Sequence, residues 1–334
     1  MSDLNHPQDS HPWGVDNKVD CAEFRKRGHE MIDFIADMYN NIEDYPISPD
    51  VEKGHLYTQM GRQAPENGLS WNSTMRDIKS KIIPGLLHWQ HPGFFAYYPG
   101  MMGYPALLGS LLGDALNQPG FTWQTCPVAS ELEVIVLEWL IQAMDLPTKF
   151  SRHHGGGSSI QSTASEACLV SMVAARKKKL DQLGDDCDVL KQKLTFYCPD
   201  SSHFALQKGA SVMGYVIKQV PTVIDSATKN YIMDVNALED MLNQDKQDGL
   251  VPAFVSATLG TTGSGAVDPL EKIGEICKKY DVWYHVDAAY AGSALFCPEY
   301  REVAAGIEMA QSYNFNLHKW FPGVFPASIL YIEE

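Results

Sequence analysis

The feature that most constrains this chain is a strand, helix, strand signature in its C-terminal half. Residues 251–259 (VPAFVSATL) and 282–287 (VWYHVD) are apolar runs of strand length. Between them Leu270, Ile273, Ile276 and Cys277 share one face at helical spacing. Asp268 reads as the N-cap of that helix, Pro269 as its first residue and Glu271 as its third. A strand, a crossover helix and a second strand form a βαβ unit, whose strands run parallel with a right-handed crossover. Residues 164–183 add an amphipathic helix and residues 194–198 (LTFYC) another strand, so the second half reads as an α/β domain. In an open α/β sheet ligands gather at the carboxyl ends of the strands.

The chain has 334 residues, which suggests about two domains at roughly 150 residues each. Residues 1–20 read as a flexible polar lead; it has neither a basic nor an apolar stretch, so no secretory signal is expected. In residues 21–43 Phe24, Met31, Ile35, Met38 and Ile42 lay an apolar stripe along a helix that would pack on the core or on a second subunit. Residues 82–123 are punctuated by proline and glycine and rich in aromatics, and residues 132–144 read as a helix ending before Pro147. The most apolar stretch, 134–144, carries Glu138 and Gln142 and is far short of the ~20 residues a membrane span needs. Acidic side chains outnumber basic ones 41 to 26, a formal charge of −15. A nucleic-acid partner is therefore not expected, because phosphate neutralisation supplies most of such affinity. Seven cysteines, an odd number without a CxxC pair, read as reduced thiols of a cytoplasmic protein.

Three elements carry chemistry. Asp287 ends the strand VWYHVD, and a carboxylate buried there needs a cation or a donor; alone it reads equally as a structural acceptor. Lys319 stands beside Leu317, Trp320 and Phe321, where desolvation would lower its pKa and favour attack on carbonyls, although a lysine next to a tryptophan is more often a surface residue. Residues 155–166 (GGGSSIQSTASE) open a helix, and its first amides with the Thr163 and Ser165 hydroxyls would make an anion site; the plainer reading is a glycine turn with a cap. The run is neither a Walker loop nor GxGxxG, since no strand is expected immediately before it. Residues 257–262 (ATLGTT) would add hydroxyls at another strand end. A phosphate cradle, a strand-end aspartate and a desolvated lysine together match what pyridoxal phosphate (PLP) requires. His153 and His154 with His203 lack the spacing of a metal site, so no metal is expected.

The chain also closely resembles the group II PLP-dependent amino-acid decarboxylases, in the aromatic-L-amino-acid, tyrosine and tryptophan branch. The stretches that carry the resemblance are HWQHPGFFAYYPGMMGYPALLG, GFTWQTCPVASELE, STASEACLVSMVAAR, ATLGTTGSGAVDPL, HVDAAYAGSALFCPEYR and SYNFNLHKW, in that order from about residue 20 to 320. The resemblance implies a fold-type I, PLP-dependent transferase-like large domain with a mostly parallel sheet and helices on both faces, over residues 101–334. Residues 21–100 would be an N-terminal helical segment wrapping a homodimer partner. Position by position, it implies that Lys319 carries the cofactor as a Schiff base and Asp287 pairs with the ring nitrogen. Ala164, Ser165, Asn316 and His318 would contact the phosphate. His203 would stack on the ring and help hold the substrate; on its own it is equally a hydrogen-bonded buried histidine. Ala289 would face the other side of the ring, and Thr262 would support it near the lysine. Tyr98, Pro99, Phe121 and Trp123 would form the aromatic wall of the substrate pocket, part of it across a dimer interface, or else pack in the core. The implied reaction is decarboxylation of an aromatic L-amino acid to its amine and CO₂.

The resemblance stops after Trp320. Family members continue into an apolar strand, a mobile loop with a tyrosine that serves protonation, and a C-terminal α/β domain; here residues 321–334 read FPGVFPASILYIEE, so the loop and small domain are expected to be missing. Pro322 and Pro326 would break the expected strand, leaving 329–332 as a short edge strand. Gly100 stands where many members have threonine beside the substrate. A PLP-binding or dimerising fragment without turnover, and an aromatic aldehyde synthase, are the alternative readings.

Overall fold

The computed structural model describes residues 20–98, 100–184, 187–323 and 325–333. Residues 1–19 of the expected lead lie outside them, as does Pro99 of the expected aromatic wall. The chain divides into two compact units, Met1–Ala96 and Tyr97–Glu334.

The first unit is helical. Helix α1 (Cys21–Asn40) starts where the Asp20 carboxylate accepts the N–H groups of Ala22 and Glu23, both at 3.0 Å, a side-chain cap of its first turn. Phe24 of its apolar stripe is 60% exposed. Helices α2 (His55–Met60) and α3 (Trp71–Asp77) follow, the second capped by Ser70.

The second unit opens with helices α4 (Tyr104–Leu116) and α5 (Pro127–Met144). Proline at its first position starts α5 five residues before the apolar pattern predicts. Strands β1 (Gly157–Gln161), β2 (Leu194–Pro199), β3 (Ile217–Val220), β6 (Val251–Thr258), β7 (Trp283–Asp287), β8 (Ser312–Asn316) and β9 (Ser328–Ile332) form one sheet among the described residues, in the order β1-β9-β8-β7-β6-β2-β3. Strand β9 is antiparallel to both neighbours, β1 and β8, and the remaining pairs are parallel. A separate hairpin pairs β4 (Thr222–Ile224) with β5 (Tyr231–Met233). Helices α6 (Ala164–Leu183), α7 (Cys187–Leu190), α8 (Ala205–Val212), α9 (Val235–Gln247) and α10 (Leu270–Tyr280) fill the connections.

Helices cover both faces of the sheet. Tyr197 of β2 joins residues of α5, α9 and α10 in one buried cluster, whereas its neighbours Phe196 and Cys198 join residues of α6 and α8 in another. Successive side chains of a strand point to opposite faces, and strands buried on both faces read as continuous apolar runs, which is why β2, β6 and β7 were legible.

Two expectations are corrected. First, Asp268 does not cap α10. It is buried, and its carboxylate accepts the N–H groups of Met233 and Thr258, each at 2.8 Å, joining the β4/β5 hairpin to the end of β6. Burial outweighs these two bonds and raises its pKa to about 6. Second, the two prolines do not reduce the last strand to an edge. They precede β9, which sits inside the sheet with Ser328 opposite both Gln161 and Asn316. As expected, no strand stands immediately before the glycine run; a strand, β1, lies inside it. The glycines turn into β1: Gly155 has φ +90°, and a Cβ on Gly156 would clash with the Lys149 carbonyl oxygen.

Candidate active site

The ends of β6, β7 and β8 lie in register, with Thr258 opposite Asp287 and Asp287 opposite Asn314. A cavity of about 190 Å³ opens at these carboxyl ends, where the open α/β rule places a ligand. Asp287 is 5% exposed, and its Oδ1 accepts the Ala289 N–H at 3.1 Å and the Asn314 side-chain amide at 3.3 Å. A buried carboxylate held this way is satisfied at one oxygen.

Lys319 lies in the connection between β8 and β9. Leu317 N–H donates to the Ala327 carbonyl at 3.0 Å, and both the amide N and carbonyl O of Ala327 sit 3.0 Å from His318 Nδ1. Burial pushes the Lys319 amine below the ordinary lysine value, and the charge of Asp287 works against that shift. The aromatic cover differs from the one its sequence neighbours suggested. Lys319 Nζ stands 5.9 Å from the Tyr98 ring; Tyr98 stacks on Tyr290 at 3.5 Å, and Tyr290 stacks on Trp320 at 5.2 Å. The Tyr98 hydroxyl donates to the Thr261 carbonyl at 2.6 Å, next to Gly260, whose φ of +89° turns the chain out of β6.

Ala164 and Ser165 form the first turn of α6, so their amides have no acceptor within the helix. The cap is reciprocal: Thr163 Oγ1 accepts the Glu166 N–H at 3.2 Å, and the Glu166 carboxylate accepts the Ser162 N–H at 2.9 Å. His203 is half-buried; its Nδ1 accepts the Ala205 N–H at 3.2 Å, and burial lowers its pKa. His318 is lowered likewise, first by burial.

All nine residues expected to hold a cofactor line this one cavity: Ala164, Ser165, His203, Thr262, Asp287, Ala289, Asn316, His318 and Lys319. Thr163, Ala205, Thr258, Gly260, Tyr290 and Phe325 complete the lining; Thr163 was readable in the expected anion site and Thr258 within the hydroxyl-bearing stretch 257–262, whereas Phe325 was not. The described residues of the expected substrate wall, Tyr98, Phe121 and Trp123, are not part of the lining. Tyr98 is beside Lys319, while Phe121 and Trp123 are 79% and 57% exposed, and Trp123 Nε1 donates to Glu131 at 3.1 Å.

The lining also fits a polar, single-ring ligand. Thr258 Oγ1 and Asn316 Oδ1 are buried and have no hydrogen-bond partner among the described residues, and such orphaned atoms cost about 1–3 kcal/mol each. Together with the first-turn amides of α6, the buried Asp287 carboxylate and the half-buried Lys319 amine, they offer an anion site, an acid partner and a nucleophile around one small cavity. A larger cleft, about 370 Å³, opens at the opposite ends of β6 and β7, between Ala253, Val282 and Trp283. Three of its lysines are paired, Lys149 with Glu333 at 2.9 Å, Lys178 with Glu333 at 3.6 Å and Lys179 with Asp281 at 3.0 Å. Among the described residues no cluster of three or more His, Cys, Asp or Glu is placed to hold a metal ion, and no helix is long and apolar enough to cross a membrane.

Known proteins resemble this chain. The family model of the pyridoxal-dependent decarboxylase conserved domain matches residues 54–334. Tryptophan decarboxylase 2 of Oryza sativa subsp. japonica is 44% identical over 95% of this chain and 63% of its own length. Phenylacetaldehyde synthase of Arabidopsis thaliana is 41% identical over 95% of this chain and 64% of its own. The crystal structure of Oryza sativa TDC with PLP and tryptamine matches with a TM-score of 0.89 at 37% identity, covering 94% of this chain and 64% of that one. The chain thus spans about 63% of the length of the curated relatives it matches.

Proposed function

The chain belongs to the pyridoxal-dependent decarboxylase family, and from that premise we propose that it removes the α-carboxylate of an aromatic L-amino acid, giving the amine and CO₂. The observation that carries this reading is the convergence of the nine cofactor candidates, including the buried Asp287 and the half-buried Lys319, on one cavity. Bound PLP supplies a conjugated ring that accepts the electron pair left when a bond to the substrate's α-carbon breaks. The chain's own residues do the rest. Lys319, its proton loosened by burial, is the amine through which the cofactor is tethered. Asp287 holds a proton on the ring nitrogen. The first-turn amides of α6 at Ala164 and Ser165, with Asn316 and His318, take the phosphate. His203 and Ala289 lie against the ring, Thr262 supports it near the lysine, and Tyr98, Pro99, Phe121 and Trp123 receive the aromatic side chain.

A homodimer belongs to the same reading. On α4 the side chains of Leu108, Leu111, Leu112 and Leu116 are 49–60% exposed on one face, and on α5 Val128, Leu132 and Trp139 are 53–63% exposed. Phe121 and Trp123 lie on the segment that joins these helices, so a second copy covering the leucines would cover them too. Cytoplasmic residence agrees with the free state of the six described cysteines. A second reading, oxidative formation of an aromatic aldehyde, is favoured by the likeness to phenylacetaldehyde synthase.

The test is to incubate the purified chain with PLP and tryptophan, tyrosine or DOPA and to identify products. Amine with stoichiometric CO₂ supports decarboxylation; aldehyde with ammonia and hydrogen peroxide supports the second reading. A chain that binds PLP and releases neither is a cofactor-binding fragment.

A further inference from the structure

Behind the cavity, five buried hydrogen-bonding groups link to Asp287 in one line. Trp283 Nε1 donates to Ser312 Oγ at 2.8 Å, and Ser312 Oγ lies 2.8 Å from His285 Nδ1. His285 Nε2 lies 3.9 Å from Cys168 Sγ, and that thiol lies 3.9 Å from Asn314 Oδ1. The Asn314 amide then donates to Asp287 Oδ1. His285, Cys168, Ser312 and Asn314 are all 0% exposed.

The two ends set the direction of the terminal bonds. An indole N–H only donates, and an ionised carboxylate only accepts. Ser312 Oγ takes the indole hydrogen and can pass its own to His285 Nδ1, the arrangement that continues the line. His285 then carries its hydrogen on Nε2, facing Cys168 and Asn314. The Asn314 carbonyl faces the thiol, which leaves its NH₂ for Asp287. Reversing that amide would set its oxygen against the carboxylate oxygen.

Resting on the reading that Asp287 pairs with the ring nitrogen, we infer that Asn314 is the positioning residue for Asp287, and that the buried line from Trp283 locks its amide in the donating orientation. Asn314 and the Ala289 N–H both occupy Oδ1, so Oδ2 is the oxygen offered to the cofactor's ring N–H. The line requires a neutral His285. Its surroundings agree: the Phe254 ring stacks on it at 5.7 Å, Cys168, Ser312 and Asn314 are uncharged, and burial lowers its pKa to about 4 against the pull of Asp287.

The experiment compares binding of PLP with binding of its 1-deaza analogue, in which carbon replaces the ring nitrogen, to the wild-type chain and to Asn314→Leu. Loss of a hydrogen bond to a charged partner is expected to weaken PLP binding about 10- to 100-fold, with the deaza analogue unchanged within about twofold. Equal loss for both ligands, or no loss for PLP, overturns the inference, because a merely structural asparagine does not distinguish them. A wild type that binds both ligands equally takes down the reading of Asp287, and the inference with it. A second measurement needs no variant: ¹⁵N spectra of the histidine-labelled wild type without cofactor should show His285 as the neutral Nε2–H tautomer throughout pH 5 to 8. An Nδ1–H tautomer, or protonation within that range, breaks the line and overturns the inference.

Discussion

The two ends of the sheet hold cavities of opposite character. At the N-terminal ends of β6 and β7 lies the larger one, about 370 Å³, where Lys149, Lys178 and Lys179 already have carboxylate partners; at the carboxyl ends lies one of about 190 Å³, with a half-buried lysine and with hydroxyl and amide oxygens that lack partners among the described residues. The difference teaches that hydrogen-bonding capacity left open, rather than room, marks the functional end. A parallel sheet sets this up: at the carboxyl ends the chain leaves buried strands into turns that carry Thr262, Ala289 and Lys319, whereas strands are entered at the other end from solvated helix termini.

The comparison would break most visibly at Lys319. Replacing it with alanine should abolish the absorbance band of a lysine-bound pyridoxal group and lower turnover about a thousandfold or more; a band that persists would show that the tether lies elsewhere. The carboxyl end also contains a carboxylate that serves architecture, and it sharpens the contrast through pH. The folded pKa of Asp268, about 6, lies above its ordinary value near 4, so its contribution to stability is full below that ordinary value and is lost as pH rises through about 6. Between pH 4 and pH 6.5 the loss is about 2 kcal/mol. Denaturant titrations should therefore show wild type and Asp268→Asn diverging by that amount across the window, with parallel curves counting against it. The smallest effect belongs to the large cleft. Lys178→Ala and Lys179→Ala should each change stability by less than about 1 kcal/mol and leave PLP affinity unaltered; a large loss of cofactor binding would mean that the two ends are coupled.

Much of the site was legible because strand ends announce themselves. Asp287 closes an apolar run, and α6 spans the residues its apolar pattern marks. What escaped depends on contacts between distant residues. Asn314 matters only because the sheet places it opposite Asp287, a register that no local pattern encodes. Strand β1 (GSSIQ) is polar and lies at the sheet edge, so it shows neither an apolar run nor alternation. Asp268 carries every mark of a helix cap, yet two backbone N–H groups from other strands claim its carboxylate. Strand β9 was misjudged because proline forbids a ladder bond only at its own position, and both prolines precede the strand.

Because β8 and β9 are adjacent antiparallel strands, the segment bearing Lys319 is the loop of a long hairpin whose arms are interior strands. A side chain mounted this way inherits the rigidity of the core: its backbone cannot drift without unzipping two strands that are themselves flanked on their outer sides. Amide exchange at Phe315 and Leu330 should then proceed only with global unfolding, so the reactive amine sits on the slowest-opening part of the protein while its partners, on turns and helix ends, adjust around it.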